Sequence, residues 1–454
     1  MHNLSNSKNR HNPFKWFAVS SALLGLSMAA HSMDLLQAYQ AAQQQDATLL
    51  AARATAMAER ERLPQAKAQL LPSLNASVSR TANRLTSVTP NAFGTEKTSH
   101  TRYPSSNQTL TLRQPLYRPQ LVAQYRQAEA QIDDADATLQ LEEQNLAVRV
   151  SSAYFEAMLT HDQLALVLAQ QAAYTTQLDA ARKSLTAGSG TRTDVDEAQA
   201  RLDMSLALEI EARQNVTYTL QQLESLVNQP IETLATLNIA SLTLQPPQPN
   251  NLEDWSARAE LNSPQMQALK ARIEIARQEV KKASSGHRPT LDAVAQWSDS
   301  ESESVTNASS RYTNRSVGLQ LNIPLFAGGY VNSQVRQTLA GQERAEQLFE
   351  AGRRDLVMRV HKEFRGVSEN IPKIKALEQA LRSSDQLVLS SRKSFQAGSR
   401  TVIDILNAEQ QRVLVLRDLA QARYMYLISN MRLLALVGAA DSEAVAQANR
   451  VLQN

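Results

Sequence analysis

Cysteine is absent from the 454-residue chain, which excludes disulfides, thiolate metal sites and an N-terminal lipid carried on a cysteine. Only 13 residues are glycine, and the chain is rich in alanine, glutamine and leucine, so long helices are expected. After residue 32 no stretch reaches 18 consecutive apolar residues, so the sequence predicts no membrane-spanning helix there. These absences favour an extended helical protein over an ordinary compact domain.

Beyond residue 32 the chain also lacks an excess of charge of either sign. Three of the 47 basic residues, and no acidic residue, lie within residues 1–32, which leaves 44 residues of each sign in the rest of the chain. A neutral chain without a basic stripe argues against binding to nucleic acid.

The first 32 residues have the layout of a secretory signal peptide. Lys8, Arg10 and Lys15 precede or open an apolar stretch that ends at Ala30, and Ala30 with Ser32 forms a small-residue cleavage pattern. We expect residues 1–32 to be removed, with a mature chain that begins near Met33. An N-terminal membrane anchor is the alternative.

The remaining sequence is an internal repeat. The stretch RKSLTAGSGTRTDVDEAQAR at 182–201 recurs as RKSFQAGSRTVIDILNAEQQR at 392–412. A proline-rich connector at 244–251 separates the two copies, which predicts repeat 1 at 33–245 and repeat 2, with a C-terminal segment, at 246–454. The spacing of the flanking prolines places a longer loop in the first copy, around residues 87–107.

Each copy follows the order helix, strand, loop, strand, long helix, turn, helix. Proline and glycine are absent between Pro119 and Thr186, where small and apolar residues recur with heptad spacing, so a coiled-coil helix of about 100 Å is predicted. A matching helix is expected from Tyr330 to Gln396, with a kink or break at Pro372. Helices of this length require other helices to pack against.

Four predicted strands alternate apolar and polar residues. This pattern fits either a water-soluble sandwich or the strands of an outer-membrane barrel. Four strands are too few to close a barrel, so a membrane location requires several chains, and three chains would supply twelve strands. The apolar positions are Leu74, Ala76, Val78, Leu110, Leu112, Leu291, Ala293, Ala295, Trp297, Val317, Leu319, Leu321 and Ile323.

Four motifs, in order, resemble the TolC family of outer-membrane efflux and type I secretion channels, in its branch without a lipid anchor. They are GHRPTLD (286–292), GGYVNSQVRQ (328–337), GSRTVIDIL (398–406) and ARYMYLIS (422–429). The resemblance implies an α+β membrane protein, a homotrimer whose twelve-stranded β-barrel continues into a periplasmic α-helical coiled-coil barrel. It further implies an outer-membrane exit duct, extending into the periplasm, for drugs, toxic compounds or secreted proteins. The implied partners are outer-membrane lipid, a periplasmic adaptor protein and an inner-membrane transporter of the ABC, RND or MFS type.

No enzyme chemistry is predicted. The histidines outside the signal region lack metal-ligand spacing, and the glycine pairs lack the lysine of a phosphate-binding loop. We therefore expect no catalytic residue, cofactor or metal. A soluble periplasmic coiled-coil scaffold or adaptor is the alternative function, since it requires the signal and the helices but no barrel.

The duplicated turns have a simple structural interpretation. Gly188 and Gly398 suit the positive φ at a helix C-terminus. Thr191 and Thr401 each stand three residues before an aspartate, which is the signal that caps the next helix.

The family resemblance adds a gating role for the same turns. It implies that they form a periplasmic tip closed at rest, with Arg400 paired to Thr193 and Asp194 of a neighbouring hairpin. Asp404 is then expected to face a pore constriction.

Two residues depart from the family pattern at this gate. Phe395 replaces a tyrosine and cannot donate a hydroxyl hydrogen bond, whereas Asn407 replaces a second aspartate of the constriction. Three carboxylates per trimer, rather than six, are expected to bind cations more weakly.

Overall fold

A computed structural model describes residues 32–90, 92–303 and 309–453, so residues 1–31 of the expected signal peptide lie outside the described residues. Helices and strands follow one another in the order expected for two copies. The helices are α1 (Leu35–Gln45), α2 (Ala47–Arg60), α3 (Arg62–Ala68), α4 (Pro119–Thr186), α5 (Arg192–Val227), α6 (Leu252–Asn262), α7 (Pro264–Ser284), α8 (Tyr330–Gln396), α9 (Val402–Leu436) and α10 (Ser442–Asn449), and a short 3₁₀ helix covers Ser285–His287. The strands are β1 (Ser73–Pro90), β2 (Glu96–Tyr117), β3 (Thr236–Leu237), β4 (Thr290–Glu303), β5 (Ser309–Asn322) and β6 (Leu452–Gln453).

The four long strands form one antiparallel sheet in the order β1-β2-β4-β5. Its register places the apolar positions of neighbouring strands opposite one another, which gives one apolar face. Most of these side chains are solvent-exposed in the single chain; Val317, for example, is 88% exposed. The opposed pairs are Leu74 with Leu112, Ala76 with Leu110, Leu110 with Trp297, Leu112 with Ala295, Ala293 with Leu319, and Ala295 with Val317.

The strands are long, with 18, 22, 14 and 14 residues in chain order. The predicted loop at 87–107 is wrong, because β1 and β2 stay paired from Ser73 opposite Arg113 to Pro90 opposite Glu96. Their outer halves are polar, and a backbone ladder does not require apolar side chains. The first hairpin therefore extends the sheet.

The long helices form two hairpins. Helix α4 has 68 residues and packs along α5, and α8 has 67 residues and packs along α9, so both long helices are confirmed. The expected break at Pro372 is wrong, because α8 stays helical through it. Val367 and Ile374, which flank the proline, are 1% and 0% exposed, so packing of both turns holds the helix across the missing backbone donor.

The main core lies where the middle of the hairpins meets the short elements. Tyr154 and Phe155 of α4 and Tyr424 of α9 are fully or almost fully buried there, together with residues of α1, α6 and α10. The short strands β3 and β6 pair antiparallel and join the end of the first copy to the end of the chain.

Two features are absent from the described ranges. No helix within them combines the length and hydropathy needed to cross a bilayer. Within the same ranges no three His, Cys, Asp or Glu side chains cluster as metal ligands would.

Candidate functional site: the two hairpin tips

Both hairpins end in the same tight turn. Gly188 has φ 74° and Gly398 has φ 75°, in the left-handed region that glycine enters without strain. The next residue closes each turn, since the amide of Ser189 donates to the Ser184 carbonyl over 3.0 Å. In the second hairpin Ser399 donates to Ser394 in the same way, over 2.9 Å.

A reciprocal capping box then starts each returning helix. The Thr191 amide donates to Asp194 Oδ2 over 3.0 Å, and the Asp194 amide donates to Thr191 Oγ1 over 3.2 Å. Thr401 and Asp404 repeat the arrangement at 2.9 and 3.4 Å. These bonds satisfy helix N-terminal donors that otherwise lack a partner.

The capping box also sets the ionisation of Asp404. Hydrogen bonds from the Thr401 amide and hydroxyl, helped by the charge of Arg400, lower the pKa of the Asp404 carboxyl below its usual value. The carboxylate therefore remains charged at neutral pH.

The two turns differ at one position. Gly190 occupies the place that Arg400 takes in the second copy, and its amide adds a second 3.0 Å bond to the Ser184 carbonyl. A Cβ at Gly190 would lie 2.9 Å from the Cβ of Ser184 and 3.0 Å from the Leu185 nitrogen, so the first turn has no room for a side chain.

In the second turn, the side chain of Arg400 lies against its own hairpin. Its Nη1 donates to Oγ of the fully buried Ser391 over 2.8 Å. Thr193 is exposed, and Oδ1 of Asp194 has no hydrogen-bond partner within the described part of the chain. The acceptor groups expected for a neighbour's arginine are thus present and open.

An equivalent bond clamps the two helices of each hairpin near its tip. Arg182 donates to Gln199 over 3.0 Å in the first hairpin, and Arg392 forms an ion pair with Glu409 in the second. Both hairpins therefore have this bond between their helices. Its acceptor is a neutral amide in the first hairpin and a carboxylate in the second.

Phe395 takes part in an apolar seam between the two hairpins of one chain. It is half-buried against a cluster formed by Tyr174 of the first hairpin with Val402 and Leu406 of the second, and Leu202 of the first hairpin packs on the same cluster. Tyr174, Val402 and Leu406 are at most 4% exposed. The ring thus contributes packing at a position where the family pattern has a hydroxyl.

Arg201 is a residue of this site that the sequence interpretation missed. Its guanidinium donates to Asn407 Oδ1 over 2.8 Å and to Gln410 Oε1 over 2.6 Å, while Nε bonds to Glu197 of its own helix over 3.0 Å. The sole sequence signal was its place two helical turns after Asp194, on the same helix face. Asn407 is therefore a bonding partner between hairpins as well as an exposed tip residue.

The fold and this site have a counterpart in known proteins. The profile described as "Outer membrane efflux protein" matches residues 38–229 and 255–439, one segment in each copy. The chain belongs to the outer membrane efflux protein family.

Individual relatives agree with this assignment. The chain is 34% identical over 421 residues to the alkaline protease secretion protein AprF of Pseudomonas aeruginosa, covering 92% of this chain and 87% of AprF. It is 27% identical over 446 residues to the outer membrane protein TolC of Escherichia coli, covering 96% and 88%. A crystal structure of CusC superposes with a TM-score of 0.77 at 16% identity, covering 90% of this chain and 92% of that one, which supports the fold.

Family membership confirms the resemblance, the fold class and the outer-membrane location extending into the periplasm. Channels of this family form homotrimers that act with adaptor proteins and inner-membrane transporters. Three four-stranded sheets then share one barrel, which gives the open edges β1 and β5 their partners. The protein is an outer-membrane exit duct for tripartite systems, which decides against the soluble scaffold or adaptor.

Proposed function

We propose that this duct carries secreted proteins to the cell exterior. The observation that carries the proposal is the 34% identity with AprF, a protease secretion protein, across 92% of the chain. Efflux of small molecules through the same duct is the competing cargo.

The resting gate is formed by the hairpin tips. Each chain contributes two, so six tips surround the periplasmic end of a trimer. The support is local: both tips are clamped, capped and free of long loops, which makes them rigid enough to hold a closed arrangement.

Two kinds of contact hold this gate closed. Within a chain, Arg201 and the apolar seam at Phe395 join the first hairpin to the second. Between chains, Arg400 leaves Ser391 and donates to Thr193 and Asp194 of the neighbour, where an exposed hydroxyl and a free carboxylate oxygen are available.

The constriction carries three carboxylates per trimer. Asp404 supplies one from each chain, whereas Asn407 adds only a neutral amide that Arg201 already engages. A ring of three carboxylates attracts cations, and it does so less strongly than a ring of six.

The chain has no enzymatic activity of its own, and the driving force comes from the inner-membrane transporter. Support comes from its family, whose members and structural neighbours are channel proteins. Residues 33–245 and 246–454 are the two repeats, in line with the two separate profile matches, and residues 1–32 are a removed signal.

Deletion of the gene from the source bacterium tests the cargo. We expect specific proteins to disappear from the culture medium, and a plasmid copy to restore them. Drug susceptibility is measured in the same strains. Increased drug susceptibility with an unchanged set of secreted proteins would contradict protein cargo and identify the duct as an efflux channel.

A further inference from the structure

A cleft of about 340 Å³ opens where the sheet joins the helices. It lies between the start of α4 and the end of α7, directly beyond strands β2 and β4. These are the inner strands of the sheet, whereas neighbouring chains of the trimer pair with the edge strands β1 and β5. The cleft therefore lies in the middle of one protomer's surface.

The cleft continues the apolar face of the sheet. A bulge between Pro115 and Tyr117 shifts the register so that Tyr117 lies opposite Leu291, which belongs to that face. Leu116 and Tyr117 are 53% and 48% exposed and line the cleft together with the exposed Val122. One wall of the cleft is thus an extension of the lipid-facing surface.

The rest of the cleft has a basic lining. Arg126, Lys281 and Arg288 contribute to it, all three are exposed, and none of their side chains has a hydrogen-bond or ion-pair partner within the described ranges. A fourth cation, Arg118, is already paired with Asp292, with an Nη2 to Oδ2 distance of 2.5 Å. No aspartate or glutamate lines the cleft, so the charge of the three free cations is uncompensated.

The first turn of α4 adds to this positive field. The helix starts at Pro119 after Arg118, and no side chain caps its N-terminus. The positive end of a 68-residue helix thus points toward the cleft with an uncapped amide at Gln120.

We propose that this cleft binds the headgroup phosphate of an anionic glycerophospholipid from the periplasmic leaflet of the outer membrane. Arg126, Lys281 and Arg288 contact the phosphate, and the acyl chains lie along Leu116 and Tyr117. The periplasmic leaflet follows from position, because the helices leave the sheet at this end. Three uncompensated cations favour a lipid with net negative charge over a zwitterionic one.

Lipid counting on the purified trimer tests the proposal. The trimer is reconstituted in nanodiscs of equal parts phosphatidylglycerol and phosphatidylcholine, extracted in mild detergent, and its retained lipids are measured by mass spectrometry. We expect phosphatidylglycerol to be enriched about tenfold or more, since each nearby basic side chain contributes roughly a fivefold factor. The variant with Arg126→Gln, Lys281→Gln and Arg288→Gln should retain the two lipids equally.

A matched control removes three charges elsewhere. Lys362, Lys373 and Lys375 of α8 are exposed and unpaired in the described residues, so their replacement by Gln should leave the enrichment intact. If the triple cleft variant does not form trimers, Arg288→Gln alone should reduce the enrichment roughly fivefold.

Three results of this lipid measurement would overturn the proposal. They are equal retention of both lipids by the unmodified trimer, unchanged enrichment in the cleft variant, and an equal loss in the α8 control. Complete displacement of phosphatidylglycerol by inorganic phosphate would also overturn it, because a solvent phosphate site does not need the apolar wall.

Discussion

The guanidinium of Arg201 in α5 donates to the amide oxygen of Asn407 in α9 across 2.8 Å, and this bond joins the two hairpins of one chain near their tips. The side chain of Arg201 is 22% exposed, so water screens the contact only in part. This bond places Asn407, the neutral residue of the expected constriction, in a contact between the two hairpins.

Arg201→Ala should loosen the resting gate. Losing this partly exposed contact costs about 1 kcal/mol, which raises the ratio of open to closed tips about fivefold. Resting conductance in planar bilayers should therefore rise. Arg213→Ala is the control, since Arg213 lies on the same helix and, among the described residues, its side chain pairs only with Glu209 of that helix. Equal conductance in the two variants would refute a role for Arg201 in closure.

Phe395→Ala should open the seam between the hairpins. The ring is half-buried against the cluster of Tyr174, Val402 and Leu406, so its removal costs about 1–2 kcal/mol. Resting conductance should increase, while Phe395→Tyr keeps the ring and should not increase it. Wild-type conductance in the alanine variant would show that the seam does not hold the gate.

Gly190→Ala should disturb the first turn. The new Cβ would meet Ser184 and Leu185 backbone atoms at about 3 Å, so the turn must shift and weaken its bond to the Ser184 carbonyl, at about 1–2 kcal/mol. Amide hydrogen exchange at residues 188–191 should accelerate. Gly341→Ala in α8, where a Cβ meets nothing within 4 Å, should leave it unchanged. Unaltered exchange at the tip in both variants would contradict the steric argument.

Cation selectivity should be insensitive to mild acid. The pKa of Asp404 is lowered by the Thr401 amide and hydroxyl, so the carboxylate stays ionised from pH 7 to pH 5. Its contribution to capping is present above the unfolded-state pKa and is lost only as pH falls through the lower folded-state pKa. Reversal potentials in a KCl gradient measure selectivity, and Asp404→Asn should reduce it at both pH values. A marked decline between pH 7 and pH 5 in the unmodified protein would disagree.

The mature chain should begin near Met33. The Met33 amide donates to the Thr233 carbonyl over 2.9 Å, and its carbonyl accepts from the Tyr154 hydroxyl over 2.8 Å, so Met33 is itself bonded into the folded structure. N-terminal sequencing of the protein from outer membranes measures the cleavage site. A chain that retains the apolar stretch would identify a membrane anchor instead.

Much of the fold could be predicted because its signals are local. Pro119 and Tyr330 mark where the long helices begin, and the Thr-x-x-Asp boxes mark where the returning helices begin. Helix capping depends on residues within one turn of each other, so sequence spacing is sufficient to read it. The same locality explains why the turn glycines could be named in advance.

Longer-range contacts could not be predicted in this way. The pairing of β2 with β4, the contact of Arg201 with Asn407 and the seam around Phe395 each join residues far apart in sequence. The sequence spacing of these residues does not predict that they meet, because the contacts depend on how the two copies pack.

The amino-acid sequence by itself determined the two copies, the limits of the long helices, the apolar face of the sheet and the capped turns, since each follows from nearby residues. Only the tertiary structure decided that α8 continues through Pro372, that the first turn leaves no space for a Cβ at Gly190, and that three cations meet beside the apolar face. Those outcomes depend on burial and on side chains brought together by packing, which no single segment contains.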